Sequence, residues 1–176
     1  MNPKDIRMQL ARKQQNAYIH AMEIIDKIIP VIERFDGKQA NKRLETALQQ
    51  IDRNLYCRKS IYSDLWEIKL YIEDRSVTDT ETKYGNTYYI KDSEIWIASE
   101  FSIDRFVDEN GKWKSQTIVQ RLRETQDVLK DKDNTIQEQL DDIDSLIDRY
   151  TEIKREIEEF NRMIDYSIRE YFNLKI

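Results

Sequence analysis

The chain has 176 residues, 39% of them hydrophobic and 36% charged, with only three glycines and two prolines. That balance is too apolar for disorder and too poor in turn formers for a many-turned β fold; the length suits one domain, or one core with an extended appendage. The formal net charge of −5 hides a gradient: residues 1–60 carry 12 Lys/Arg against 7 Asp/Glu, residues 61–130 carry 10 against 14, and residues 131–176 carry 7 against 13.

The plain meaning of this gradient is a basic first segment lying along an acidic last one. Its sharper meaning is a basic face for nucleic acid, or an acidic face that imitates it. A single cysteine, Cys57, cannot close an internal disulfide, so nothing points to an oxidising compartment. The first turns, from Met1-Asn2-Pro3-Lys4-Asp5 onward, are charged throughout and do not read as a signal peptide. The longest apolar run, about four residues near Ile28 to Ile32, falls far short of the roughly 20 that a bilayer span requires. A cytoplasmic location is expected.

Three stretches are expected, plausibly one folding unit: N-terminal helices over 1–60, a small aromatic β-rich region over 61–110, and a long helix over 111–176. Asn2-Pro3 is a good helix start. Apolar residues then recur at Ala17, Ala21, Ile24, Ile28, Val31 and Phe35, and a second stripe runs through Tyr18, Met22, Ile25, Ile29 and Ile32. Two adjacent stripes predict a wide apolar face touching at least two neighbours. Pro30 should kink or shorten this helix, and Asp36-Gly37 should end it. A second helix is expected from Lys38, with Ala40, Leu44, Ala47 or Leu48, Ile51 and Leu55 on one side, fading between Cys57 and Ser60.

The period then changes to two. Trp66, Ile68, Leu70 and Ile72 alternate with polar neighbours, as in a half-buried strand. Further strands are expected at 87–90 and 94–98, giving a three-stranded antiparallel meander between about residues 64 and 99; a helix over 60–73 competes with the first strand. Asp108-Glu109-Asn110-Gly111 marks a turn, and no glycine or proline follows in the last 65 residues. Ile118, Leu122 and Leu129 form one stripe there. A longer one runs from Ile136, Leu140, Ile143 and Ile147 through Tyr150, Ile153, Ile157, Phe160, Ile164 and Ile168 to Tyr171. Its mean spacing of 3.5 is that of a coiled-coil seam. A helix from about Asp133 to Phe172 would run on the order of 60 Å. Few single cores cover that length, so part of the seam should pack on the N-terminal helix or on a second copy. Lys130 to Asn134 would be either a break or a solvated turn of one helix.

Residues for chemistry are sparse. His20 is the only histidine and shares no plausible zinc or triad partner; Cys57 reads as a buried, inert thiol. No glycine cluster could cradle a phosphate. Asp141, Asp144 and Asp148 share one helical face and would be the ligands of a magnesium-dependent hydrolase, but the isoleucines beside them mark the inward side, which favours a solvated coiled-coil face. No catalytic residue, metal or cofactor is expected.

Segment 97–123 loosely resembles a helix-turn-helix, from Ile97-Ala98-Ser99-Glu100 to Lys114-Ser115-Gln116-Thr117. On that resemblance Lys112, Lys114, Gln116, Arg121 and Arg123 would contact nucleic acid. The turn at 108–111 is long for such a motif, the local charge is negative, and Ser115 as a helix cap explains the same residues. Aromatics crowd the middle of the chain. Trp66 and Trp96 are expected in the core, while Tyr71, Tyr84, Tyr88 and Tyr89 would be interface anchors or simple cross-strand pairs.

The expected fold is α+β and predominantly α-helical: a helical bundle or coiled coil with a long C-terminal helix and a small antiparallel β-meander. The expected function is non-enzymatic protein–protein interaction, with another protein docked on the tyrosines or on Glu152, Glu156 and Glu159, and a homo-oligomer formed through the C-terminal helix. One version is an inhibitor that offers the acidic helix to the basic groove of a nucleic-acid-handling machine. The alternative is a DNA-binding regulator that dimerises through the same helix. The Ile, Asn, Lys and Asp bias is similar to that of phage or mobile-element proteins, with no motif behind the similarity.

Overall fold

Helix α1 spans Pro3–Arg34 in the computed structural model, which describes residues 3–40, 43–59, 66–71, 76–79, 86–89, 94–100 and 102–173. Both of its apolar stripes face inward. Ala17, Ala21, Ile24 and Ile28 are buried beside Tyr18, Ile25, Ile29 and Ile32, with Val31, Phe35 and Met22 packed at the margin. Pro30 lies inside the helix without shortening it: burial continues to Ile32. Its missing N–H deprives only the Asp26 carbonyl of an intrahelical donor. Beyond Arg34 the chain turns at Gly37, whose φ of 64° is the left-handed conformation that glycine adopts without a Cβ penalty.

The second helix is shorter than its periodicity suggests. Helix α2 covers Arg43–Gln49, buries Leu44 and Leu48, and stops; Leu55–Lys59 is strand β1. The corrected segment breaks at Asp52, whose Oδ1 accepts the Asn54 N–H at 2.8 Å, and this Asx turn offers the backbone an alternative to helix. Leu55 and Cys57 then alternate inward with period two.

Strands β2 (Trp66–Tyr71) and β5 (Glu94–Glu100) complete a three-stranded antiparallel sheet in the order β1-β2-β5. The expected meander is corrected here. Strands β3 (Ser76–Asp79) and β4 (Asn86–Tyr89) pair with each other in a separate two-stranded sheet, and the third strand of the main sheet comes from before β2. Trp66, Ile68 and Leu70 all face the core; Ile72 lies outside the described residues. A register shift opposite Ile68 and Lys69 gives β5 one extra residue, so Ile97 and Ala98 both turn inward.

A 3-10 turn at Ile103–Arg105 leads to the 106–114 loop. Asp108 Oδ1 accepts the N–H groups of Asn110 and Lys112, each at 2.9 Å, and Gly111 adopts a φ of 75°. The loop bonds along residues 37–40 through the Gly37 and Ala40 N–H groups. Phe106 and Trp113 close on Trp66 at ring-centroid distances of 4.6 and 5.4 Å, forming the aromatic part of the core.

Helix α3 then runs Ser115–Asn173 with no break at 130–134. Its start is capped from a distance. Asp36 Oδ1 accepts both the Ser115 N–H at 2.9 Å and the Ser115 hydroxyl at 2.7 Å, which places a carboxylate at the positive end of the helix. Ser115 is therefore a donor to the cap and does not itself supply it. The Ser115 hydroxyl, and then its amide, hold the Asp36 carboxyl below the ordinary aspartate range. A depressed value in the folded state stabilises the fold above the unfolded-state value, and the gain disappears as pH falls through the folded one. Asp36→Asn should accordingly melt earlier than wild type at neutral pH. The gap should narrow in thermal scans once pH falls below the ordinary aspartate value of about 4, and close only below the depressed folded-state value, where the folded aspartate is itself neutral.

The chain divides into two units, Met1–Ile136 and Gln137–Ile176. The first holds the sheet, α1, α2 and the start of α3, where Ile118, Leu122 and Leu129 are buried as their spacing predicts. The second holds the rest of α3. Mostly helical with a three-stranded antiparallel sheet, the protein is α+β. No helix among the described residues is long and apolar enough to cross a membrane.

Candidate interaction surface

Residues 137–173 form one uninterrupted stretch of helix without glycine or proline. Local bonds support it on its own surface. Gln137 Nε2 donates to Asp141 at 2.7 Å, the Thr151 hydroxyl to the Ile147 carbonyl at 2.9 Å, and the Tyr166 hydroxyl to Glu170 at 3.0 Å. Such pairs add only a few tenths of a kcal/mol each. Every described residue from 148 to 173 is exposed, including Ile153, Ile157, Phe160, Ile164 and Tyr171; Ile157 keeps 55% of its surface in contact with solvent. A contiguous exposed apolar ridge of that extent is unusual on a monomer. A helix in a protein gains most of its stability from burying such a ridge, and from residue 148 onward this one leaves it exposed.

Charge is uneven along this unit. Residues 137–148 carry five carboxylates and no Lys or Arg, whereas 149–173 mix both signs. Glu152, Glu156 and Glu159 are exposed there, as are Asp141, Asp144 and Asp148.

The tyrosines named from sequence do not form one described patch. Tyr71 ends β2, half-buried, with its ring edge-on to Tyr56 at 6.0 Å. Tyr88 and Tyr89 stand in β4, opposite Val77 and Ser76, and Tyr84 lies outside the described residues.

Segment 97–123 holds a strand, a 3-10 turn, a loop and the first turns of α3, so the two short helices of a helix-turn-helix are not there. Lys114 Nζ donates to the Asp104 carbonyl at 2.6 Å. Arg121 bridges Glu100 and Glu124, each at 2.8 Å, and Arg123 pairs with Asp26 at 2.9 Å. These three cations hold protein to protein. Lys112 and Gln116 are exposed.

Trp96 is the residue that sequence reasoning misplaced. Expected in the core, it is 44% exposed on the rim of an open cleft of about 590 Å³ between β5 and α3. Period two explains the correction: Ile95 and Ile97 face inward, so Trp96 must face out. Lys69, its cross-strand partner, lies over the indole at 4.3 Å and pairs with Glu94 at 3.2 Å and Glu67 at 3.4 Å. Burial works against the ammonium; the Glu94 hydrogen bond and the two carboxylate charges outweigh it and raise the Lys69 pKa. The parity of β5 was the signal that located Trp96, and residue size obscured it. Arg121 and Lys132 line the cleft with Glu94 and Glu124, so neither sign prevails.

His20 is exposed and meets Asp52 at 3.1 Å, and Cys57 is buried, its thiol pushed up by burial and by the Glu45 charge. Among the described residues no three His, Cys, Asp or Glu side chains gather where a metal ion could be held. No protein-family model matches the chain, and no curated protein or solved structure is significantly similar to it.

Proposed function

We propose that this chain is a non-enzymatic, cytoplasmic interaction protein whose working surface is the apolar ridge of residues 143–171. The observation that supports the reading is the exposure of that whole ridge beyond Ile147. Burial of isoleucine, phenylalanine and tyrosine is the main source of affinity between proteins, and a ridge at helical spacing fits a groove or another helix. The surrounding carboxylates keep the free surface dispersed in water and set which partners approach.

The test compares capture from the native cell by tagged wild type and by the double variant Ile153→Glu, Ile157→Glu. Proteins that associate with wild type should be lost from the variant. Identical capture by both would overturn the reading.

A further inference from the structure

We infer that the occupant of the ridge is the same ridge of a second copy, laid antiparallel and centred between Ile157 and Phe160. The inference rests on the reading that this ridge is a protein-contact surface. From Ile143 to Ile164 the apolar residues alternate steps of three and four without a polar interruption, the seam of a two-stranded coil. A seam alone allows either orientation, and the flanking residues separate the two.

In the antiparallel arrangement each flank meets the same flank of the other copy. With the centre between Ile157 and Phe160, Arg149 stands opposite Glu170, Lys154 opposite Asn161, and Ile147 opposite Ile168. Opposite charges meet, Lys154 and Asn161 meet each other, the two isoleucines cover one another, and Glu156 stands beside Met163 without a like charge against it. Glu170 is already oriented by the Tyr166 hydroxyl, which occupies one of its oxygens and leaves the other. The overlap runs from Leu146 to Tyr171, which is the exposed part of the ridge.

Parallel pairing buries the same seam with a worse outcome at its edges. It sets Arg149 beside Lys154 on both flanks, two like-charge contacts with no ion pair among the flanking residues from Leu146 to Tyr171 to offset them. The charge pattern is complementary to itself in one direction only.

The experiment uses the purified full chain in sedimentation velocity and light scattering across a concentration series. Wild type should dimerise. Arg149→Glu should weaken the dimer by roughly tenfold, since it creates two Glu–Glu contacts, and Glu170→Arg should weaken it similarly by creating two Arg–Arg contacts. Combining the two restores opposite charges and should recover most of the loss. Both changes fall on exposed positions, so the helical circular dichroism should not move. Tightening by Arg149→Glu would show parallel pairing and overturn the inference. A monomer at every concentration would also overturn it, and would leave the contact-surface reading standing if Ile153→Glu, Ile157→Glu still strips captured proteins. A dimer indifferent to that double variant would overturn the inference, and would overturn the contact-surface reading as well if the captured proteins are also unchanged.

Discussion

Leu122→Ala should destabilise the Met1–Ile136 unit by about 2–5 kcal/mol, the usual loss for a fully buried leucine whose site cannot collapse. Leu122 has no exposed surface and stands in the core with Ile118 and Leu129 from the same helix. For a domain of this size the melting temperature should fall on the order of 10 °C. Trp66, Trp96 and Trp113 all lie in that unit, so tryptophan fluorescence reports its melting without interference from the rest of α3. Ile157→Ala is the matched control. It deletes a similar apolar group from the same helix at an exposed position, and the tryptophan melt should stay within about 0.5 kcal/mol of wild type. Equal losses at the two positions would mean that the ridge is packed in the isolated chain.

Ile153→Glu combined with Ile157→Glu should produce the largest change in association. A symmetric contact loses each side chain twice, and burying one isoleucine contributes about 1.5–3 kcal/mol. Four lost isoleucines, with four carboxylates forced together in their place, should weaken self-association by at least a thousandfold on an order-of-magnitude scale. The tryptophan melt of dilute protein should be unaffected, because neither residue touches the core of the first unit. Light scattering and the melt together separate a contact role from a folding role.

Much of this architecture is legible in the residues. The double stripe of α1, the glycine end at Gly37 and the turn before Gly111 all follow from local periodicity and turn chemistry, whereas the continuity of the final helix through 130–134 does not. Pairings between distant segments do not. Leu55 fits the helical rhythm from Ile51 as well as a strand, and only its pairing with Leu70 decides between the two. Asp36 reads as the end of one helix and serves as the cap of another, 79 residues on. The seam of α3 is equally instructive. Its spacing fixes which side is apolar, and spacing carries no information on what, if anything, lies against that side.

The burial of Cys57 has a practical consequence. With the chain's one sulfhydryl sealed on the inner face of β1 and disinclined to ionise, maleimide dyes and spin probes should pass it by in the native protein. A reporter can therefore be attached at any chosen surface position without first deleting the native thiol, and distances along α3 become measurable in an otherwise unaltered chain.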